Sequence, residues 1–393
     1  MLVLENETTS RRGGQELSLL DVCEGLAARG HAIVLAYVDS GDLMPRYQRI
    51  CERIIRVPTY SIDRSRTIAS AAEWTTALWA VGRSKPDLVY ANQYQNSLLA
   101  AAVRRLLMVP FVCHLRLPPP DVFCRQFRVG MGQATHLIAI SEQTRRDWIE
   151  RGFRPDAIDL VYNGIDVARF DDSEDGFEAR HQLNLPAASF IVTYGGRLHP
   201  AKGIEVLLEA FGRVARDRPC HLVIAGPPLP IHDQAGRPRD YLAELRARAA
   251  TYGIAKDITW IANQADMPRL LRASDLTVLP SLWSEPFGRI VIESMACGTP
   301  VAASRVGGIP EILTGEFATG LFEAGDVAGL ASRIVRLANW RSEDPTLGQR
   351  ARAHVVSRFT LDRTVEGIER SLLKTVDRFS HRPPVRVVDS RIH

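Results

Sequence analysis

The sequence predicts an α/β protein built from two parallel-sheet units, and three observations support this. Short apolar runs rich in β-branched residues alternate with segments of helical length and helical apolar spacing. Strands separated by such helices favour parallel sheets that helices cover on both faces. The alternation stops at an acidic stretch, 171–178, and then begins again. The 393 residues are enough for two domains that each bury a core.

The predicted strands and helices follow one another in order along each half of the chain. In the first half, predicted strands lie at 1–4, 32–38, 88–91, 111–115, 137–140 and 159–162. Between them, helical spacing covers 16–29, 95–107 and 141–151. In the second half, the strand pattern returns at 190–194, 222–225, 258–261, 276–279 and 301–303. A last helical pattern covers 361–376.

These patterns predict where the domains begin and end. We expect a first domain at 1–170, a second domain at 171–360 and a tail at 379–393. The C-terminal helix, 361–378, is expected to pack back toward the first domain. The acidic stretch superficially resembles a calcium loop, but Gln182 stands at the twelfth position, where such a loop needs glutamate. We therefore interpret this stretch as a linker.

The composition is that of an ordinary globular protein, and it excludes several classes. Hydrophobic residues make up 46% and charged residues 24%, which argues against a disordered chain. The net charge of +4 is too small to indicate a nucleic-acid partner. Because no uncharged apolar run reaches about 18 residues, we expect no transmembrane helix. The first ten residues lack a basic region typical of signal peptides, which favours a cytoplasmic protein.

Three common site signatures are missing from the sequence. There is no G-x-G-x-x-G after the first predicted strand, as dinucleotide-binding domains have. There is also no G-x-x-x-x-G-K-[ST] phosphate loop. The six cysteines form no C-x-x-C pair, so neither a metal site nor a disulfide framework is indicated. We therefore expect no metal and no cofactor.

One candidate phosphate-binding segment, 195–203, follows the strand at 190–194 and precedes a predicted helix. Its adjacent glycines allow the backbone to turn sharply and to approach a ligand. The helix N-terminus offers unpaired N–H groups to an anion. Arg197 adds a planar donor fork and Lys202 a compact positive charge. This combination suits a diphosphate, although two solvated loop cations would give the same pattern.

A second candidate segment, 280–293, also follows a predicted strand. Pro286 is well placed for a helix start, because its missing N–H is not needed there. The amides of Phe287, Gly288 and Arg289 would then point out of the helix. Carboxylates accept hydroxyl hydrogen bonds, so Glu285 and Glu293 suit sugar or ribose hydroxyls. The simpler alternatives are a helix-terminal charge for the first glutamate and a solvated helix face for the second.

At these residues, the chain resembles the retaining GT-B glycosyltransferases of glycosyl transferases group 1, family four. The matching motifs are G-R-L-x-x-x-K-G at 196–203, E-x₇-E from 285 to 293, E-S-M-A-C-G-T-P-V at 293–301 and G-G-I-P-E at 307–311. The N-terminal half is similar more weakly, at Gly13–Gly14, at His114 and at Asn163–Gly164. The resemblance implies a GT-B fold: two Rossmann-like, doubly wound parallel-sheet domains that face each other across a cleft.

The resemblance also implies roles for particular residues. By similarity, Arg197 and Lys202 hold the donor diphosphate, Glu285 the donor sugar and Glu293 the ribose, while His114 faces the donor sugar from the N-terminal domain. The catalytic residues implied are His114, Arg197, Lys202 and Glu285. The donor-binding residues implied are Gly14, Gly196, Arg197, Lys202, Glu285, Pro286, Phe287, Gly288, Arg289 and Glu293.

The function implied is transfer of a hexosyl-type sugar from a nucleotide-diphosphate sugar, such as a UDP- or GDP-sugar, to a glycan or lipid-linked acceptor. Cell-envelope or exopolysaccharide biosynthesis is the expected setting. Two alternatives stay open: a GT-B-shaped epimerase, phosphorylase or hydrolase, and a non-catalytic nucleotide-sugar-binding relative. A phosphorylase needs a late pyridoxal-phosphate lysine, and Lys374 is the only late lysine. A non-catalytic relative is expected to lose Lys202 or Glu285, and both are present.

A positively charged region at 43–66 suggests peripheral contact with an anionic membrane. It carries six arginines against Glu52 and Asp63, a local charge of 6 − 2 = +4. Apolar residues lie nearby, namely Ile50, Ile54, Ile55 and Trp74. Such a patch attracts anionic lipid by about 1 kcal/mol per charge. The alternative is an ordinary solvated face of the N-terminal domain.

Overall fold

The computed structural model describes residues 1–10, 13–63, 65, 67–171, 176–233, 236–262 and 266–379. Parts of three predicted features lie outside these residues. They are the linker at 172–175, Arg64 and Arg66 of the charged region, and the tail from 380 onward. Among the described helices, none is both long and apolar enough to cross a membrane.

Strands and helices alternate along the described chain. The strands are β1 (Leu2–Glu7), β2 (Val34–Asp39), β3 (Arg53–Arg56), β4 (Val89–Ala91), β5 (Phe111–Leu115), β6 (His136–Ala139), β7 (Ile158–Leu160), β8 (Phe190–Gly195), β9 (Cys220–Ala225), β10 (Ile231–His232), β11 (Pro238–Arg239), β12 (Ile258–Ile261), β13 (Leu276–Leu279), β14 (Val301–Ser304) and β15 (Leu321–Phe322). The helices are α1 (Gly14–Ala28), α2 (Met44–Ile50), α3 (Thr67–Gly82), α4 (Ser97–Leu107), α5 (Arg125–Met131), α6 (Glu142–Glu150), α7 (Gly176–Gln182), α8 (Ile204–Val214), α9 (Tyr241–Thr251), α10 (Met267–Ala273), α11 (Arg289–Ala296), α12 (Ile309–Ile312), α13 (Val327–Arg336), α14 (Trp340–Glu343), α15 (Leu347–Arg358) and α16 (Leu361–Phe379).

The chain divides into two compact units, and the first unit is built from both ends of the chain. The first unit contains Met1–Asn163 together with α16, and the second contains Gly164–Thr360. The boundary therefore lies seven residues before the expected one. Where the second unit begins and ends, Ile165 forms an isolated parallel bridge with Thr360. Helix α16 packs on α1, and its Glu369 pairs with Arg29 at 2.7 Å.

The first unit contains a parallel sheet of seven described strands, in the order β3-β2-β1-β4-β5-β6-β7. Strand β1 pairs with β2 on one side and with β4 on the other, so the strand order reverses between β1 and β4. In open α/β sheets, ligands bind beyond the carboxyl ends of the strands at such a reversal. The reversal thus marks one place to search for functional side chains.

The second unit contains a parallel sheet of six described strands, in the order β12-β9-β8-β13-β14-β15. Its central strands β8 and β13 are buried along their whole length, as expected of parallel strands covered on both faces. The order reverses between β8 and β13, which pair directly. The prediction of two parallel-sheet α/β units is confirmed. The segments after β8 and β13 are the two that the sequence singled out.

Candidate active site

The segment after β8 forms a tight loop against the segment after β13. It passes through a single 3₁₀ turn, Pro200–Lys202, before α8 begins. Gly203 joins the two with a φ of +66°, and a Cβ there would lie 2.0 Å from the carbonyl oxygen of Pro280. Only glycine fits this position, because the backbone is left-handed and the neighbouring chain is too close. The Leu282 amide donates to the Ala201 carbonyl at 2.9 Å and joins the two loops.

Glu285 is the centre of the polar contacts in this region. The residue is buried, and its Oε1 accepts hydrogen bonds from the Lys202 ammonium, from the Ser281 hydroxyl at 2.5 Å and from the Trp283 indole at 3.0 Å. Its carbonyl accepts from the Gly308 amide at 2.8 Å. The structure therefore brings together Lys202 and Glu285, which are 83 positions apart in the sequence.

The Lys202–Glu285 ion pair is mostly shielded from water. The side chains are 13% and 8% exposed, respectively. The Lys202 ammonium also lies 5.2 Å from the centre of the Trp283 ring, within the range of a cation–π interaction. Shielding strengthens such electrostatic contacts. A lysine has three N–H donors, so this ammonium can bind a further acceptor while it keeps Glu285.

Arg197 and Lys202 lie on either side of His199 in the loop after β8. Arg197 is half-buried, and its carbonyl accepts a hydrogen bond from the buried Tyr194 hydroxyl at 2.8 Å. The Nδ1 of His199 accepts from the Ala201 amide at 3.2 Å. Burial lowers the pKa of His199, and the charges of Arg197 and Lys202 lower it further. His199 was not singled out in the sequence, although it stands inside the G-R-L-x-x-x-K-G motif.

Helix α11 begins later than the sequence indicated. Its first residue is Arg289, and Gly288 caps it with a φ of +92°, so Pro286 lies in the preceding turn and the expectation that it opens the helix is wrong. Gly288 allows this left-handed turn without strain. Phe287 is buried and packs edge-on against Phe359, with ring centres 5.8 Å apart. The helix N-terminus thus begins at the amides of Gly288 and Arg289, and the Phe287 amide lies before it.

Glu293 lies in the second turn of α11 and is held by its own helix. The Arg289 Nε donates to its Oε1 at 2.7 Å, a pair four residues apart with both side chains mostly buried. The two motif glutamates therefore differ. Glu285 is bound by side chains from two loops, whereas Glu293 is bound by a neighbour on the same helix.

The two candidate site residues of the first unit, Gly14 and His114, differ in their exposure. Gly14 is the exposed first residue of α1, next to the helix cap Gly13. His114 is fully buried within β5, and its Nδ1 is hydrogen-bonded to the Tyr90 hydroxyl. Burial lowers the pKa of His114 well below its usual value, and the nearby Arg116 lowers it further. His114 is the fourth of the five residues of β5 and so lies one residue before the carboxyl end of that strand. Its Nε2 is buried and makes no hydrogen bond to any described residue.

The sequence analysis missed a buried polar cluster at the strand reversal of the first sheet. Glu5, at the end of β1, accepts from the Asn92 side-chain amide at 2.5 Å. Arg116, just beyond β5, donates from Nε to Asn92 and from Nη1 to the Ser18 hydroxyl at 2.8 Å. Burial, helped by the charge of Glu16, raises the pKa of Glu5 to about 8. The available signal was a polar residue at the end of each of these strands.

In the charged region at 43–66, the side chains that are exposed differ from those that the sequence suggested. Arg49, Arg53 and Arg56 are exposed. The apolar residues Ile50, Ile54, Ile55 and Trp74 pack into or against the core of the first unit. These four apolar side chains are buried or half-buried, so the exposed side chains among the described residues of the region are mainly charged or polar. In the described residues, no group of three His, Cys, Asp or Glu side chains is arranged to hold a metal ion.

Two family models match the chain. The model for glycosyl transferases group 1 matches residues 175–354, and the model for glycosyltransferase family 4 matches residues 12–169. Two proteins named D-inositol 3-phosphate glycosyltransferase are similar to this chain over most of their length. That of Salinispora arenicola is 32% identical and covers 93% of this chain and 88% of its own. That of Acidothermus cellulolyticus is 34% identical and covers 91% and 84%.

Solved structures share the fold along nearly the whole chain. HepE of Anabaena in complex with UDP is 25% identical, with a TM-score of 0.79 over 95% of this chain and 100% of its own. Sucrose-phosphate synthase of Thermosynechococcus elongatus is 23% identical, with a TM-score of 0.75 over 95% and 98%. Together with the two parallel sheets, these matches establish the GT-B fold. The chain belongs to glycosyl transferases group 1, glycosyltransferase family 4, and is a glycosyltransferase.

Proposed function

We propose that this enzyme transfers a sugar from a nucleotide-diphosphate donor to an acceptor hydroxyl with retention of the anomeric configuration. The observation that carries the proposal is the Lys202–Glu285 pair at the strand reversal of the second sheet. A cation and a hydroxyl-binding carboxylate side by side match the two ends of a sugar diphosphate. HepE of Anabaena, which has the same fold, is described in complex with UDP and with UDP-glucose.

The proposed role of the cations follows from the charge that develops during the reaction. Breaking the bond between sugar and phosphate builds negative charge on the departing diphosphate. Arg197, Lys202 and the amides of Gly288 and Arg289 supply positive charge and N–H donors near that group, so they stabilise the charge as it forms. The proposal includes no metal or cofactor, because these protein groups take that role.

The proposed roles of the two glutamates follow from their hydrogen bonds. Oε1 of Glu285 is occupied by Lys202, Ser281 and Trp283, whereas Oε2 makes no hydrogen bond to any described residue. Oε2 is therefore available to hydroxyls of the donor sugar. Glu293, held through Oε1 by Arg289, would bind the ribose hydroxyls with its other oxygen.

For retention, we propose front-side attack, in which the departing phosphate takes the proton of the acceptor hydroxyl. No protein nucleophile is then needed. In the first unit, Gly14 leaves room for a ligand to approach the start of α1, because glycine has no side chain. His114 is proposed to contact the donor sugar, since it lies one residue before the carboxyl end of β5 and its buried Nε2 makes no hydrogen bond to any described residue.

The acceptor is proposed in two forms. A glycan or lipid-linked acceptor in cell-envelope biosynthesis is the form that the motifs suggest. The relatives named D-inositol 3-phosphate glycosyltransferase favour a second form, a phosphorylated cyclitol. Both offer a hydroxyl nucleophile, so the same transfer chemistry serves either one.

The test is a screen of nucleotide sugars by thermal shift, followed by mass spectrometry of products formed with glycan, lipid-linked and inositol-phosphate acceptors. We expect at least one nucleotide sugar to raise the melting temperature of the wild type. Lys202→Ala and Glu285→Ala should both lose this response. Nuclear magnetic resonance of the product then reports the anomeric configuration, and an inverted product would overturn the retaining mechanism.

A matched control keeps this test specific. Lys256→Ala, at an exposed position, and Glu209→Ala, at a half-buried one, remove the same residue types outside the site. Both should respond to the donor as the wild type does. If no nucleotide sugar stabilises the wild type, or if all four variants respond equally, the proposed function is wrong. Formation of an epimerised donor without transfer would favour the epimerase alternative.

A further inference from the structure

We infer that Trp283 is a positioning residue of the donor site, which fixes Glu285 and Lys202 through two different parts of one side chain. This inference rests on the proposed function. The indole N–H donates to Oε1 of Glu285 at 3.0 Å. The face of the same ring lies 5.2 Å from the Lys202 ammonium.

The two contacts use the chemistry that distinguishes tryptophan from other side chains. Its indole is a donor without acceptor capacity, so it holds a carboxylate oxygen and does not compete for its hydrogen bonds. Its ring face attracts cations more strongly than the face of tyrosine or phenylalanine. Trp283 is half-buried and stands two residues before Glu285. A single side chain thereby sets the positions of both charged groups.

The arrangement orients the free oxygen of Glu285. Lys202, Ser281 and Trp283 all donate to Oε1, which limits rotation of the carboxylate about its last bond. In the described part of the chain, Oε2 accepts no hydrogen bond and stays available for a sugar hydroxyl. Hydrogen bonds made by rigidly held groups lose less entropy on binding, which favours affinity.

Trp283 gains importance once a diphosphate competes for Lys202. The lysine must share its donors between the phosphate oxygens and Glu285. Trp283 and Ser281 then maintain the position of the carboxylate. The backbone supports this, because the Leu282 amide, next to Trp283, is bound to the Ala201 carbonyl, next to Lys202, at 2.9 Å. Trp283 should therefore favour nucleotide sugar over the nucleotide diphosphate alone.

The experiment compares Trp283→Phe with the wild type by isothermal titration against UDP-glucose and UDP, or against the best-binding pair from the screen. Phenylalanine keeps a ring beside Lys202 but lacks the N–H. We expect the affinity for nucleotide sugar to fall about 10-fold, as for loss of a hydrogen bond to a charged group, and the affinity for nucleotide diphosphate to change less than about two-fold. Ser281→Ala combined with Trp283→Phe should lower nucleotide-sugar affinity further.

Trp79→Phe is the matched control, because Trp79 also faces a cation, the Arg83 guanidinium at 4.7 Å, but lies in the first unit. It should bind both ligands as the wild type does. The contrary outcome is that Trp283→Phe leaves both affinities unchanged, or lowers the affinities for nucleotide sugar and nucleotide diphosphate equally. Either result would mean that the positioning role is wrong, while the proposed function stands. If no nucleotide sugar binds the wild type, the proposed function itself is wrong.

Discussion

The side-chain amide of Asn92 lies 2.5 Å from Oε2 of Glu5 and joins the carboxyl ends of two neighbouring strands. Glu5 is buried at the reversal of the first sheet, where burial raises its pKa to about 8. At neutral pH, most molecules therefore hold this carboxyl in its neutral form. A titratable group in this position couples the stability of the first unit to pH.

Glu5→Gln should flatten the pH dependence of stability. Burial raises the pKa of Glu5 to about 8 in the folded protein, from its ordinary value of 4.5 in the unfolded chain. The folded state thus holds an extra proton between these values, and stability falls as pH rises from about 5 to 8, by at most about 1.4 kcal/mol per pH unit. Urea unfolding at pH 6, 7 and 8 measures this slope. Glu7→Gln is the control, and an unchanged slope in Glu5→Gln would contradict the prediction.

His114→Ala and Tyr90→Phe should both reduce stability, but only His114→Ala should also lower the activity of the folded enzyme, because His114 Nε2 makes no hydrogen bond to any described residue and is proposed to contact the donor sugar. Their side chains are hydrogen-bonded to each other inside the core. Loss of a buried hydrogen-bond partner costs about 1–3 kcal/mol. Denaturant unfolding and kcat/KM for donor, corrected for the folded fraction, separate the two effects. Unchanged corrected kcat/KM in His114→Ala would mean that His114 is a core residue alone.

Lys202→Arg should impair transfer even though the charge is kept. The compact ammonium of Lys202 contacts Glu285 and lies over the ring of Trp283, and a planar guanidinium cannot occupy the same space with the same hydrogen bonds. We expect kcat/KM to fall at least about 10-fold, with little change in melting temperature. Lys256→Arg, at an exposed position, serves as the control. Wild-type turnover in Lys202→Arg would mean that Lys202 contributes charge alone.

Glu293→Gln should lower the affinity for the nucleotide diphosphate and the affinity for the nucleotide sugar to the same degree. Both ligands contain the ribose that Glu293 is proposed to bind, and the expected loss is about 10-fold, as for a hydrogen bond to a charged group. Glu209→Gln is the matched control, because Glu209 is also paired with an arginine four residues along a helix, at 2.7 Å. A loss confined to the nucleotide sugar would assign Glu293 to the sugar instead.

Binding to anionic vesicles, if it occurs through 43–66, should be purely electrostatic. The described exposed arginines there are Arg49, Arg53 and Arg56, beside the exposed Glu52 and Asp63, and each arginine contributes about 1 kcal/mol near an anionic surface. Co-sedimentation should be measurable at low salt and lost at high salt, and Arg53→Glu with Arg56→Glu should abolish it. The same reversals at the exposed Arg213 and Arg216 should not. No sedimentation at low salt would remove the membrane hypothesis.

The central strands, and the positions of Lys202 and Glu285 after them, could be predicted because their signals are local. Strands β8, β9, β13 and β14 are buried on both faces and therefore read as continuous apolar runs between turn residues. Lys202 and Glu285 each follow such a strand directly. Since parallel strands end at the same edge of a sheet, the reversal of strand order brings the two together.

Other features of the fold and the site depend on contacts between distant residues, which the order of residues along the chain does not reveal. Strand β3 is a short edge strand with two arginines, and its sequence resembles a charged loop. The strand containing His114 is buried on both sides, so its apolar pattern gives no sign of which face each residue takes. Glu5, Asn92 and Arg116 form one cluster only because three strands end beside each other.

The bridge between Ile165 and Thr360 holds the two ends of the second unit side by side, so that this unit can be exchanged as one segment. All of the second unit is a single uninterrupted segment, Gly164–Thr360, whose two ends meet. Domains whose termini lie close together tolerate transplantation into a host chain. The second unit, which is proposed to bind the donor, can thus be exchanged for that of another family member as one cassette with two adjacent junctions. Such chimaeras would allow donor choice and acceptor choice to be selected independently.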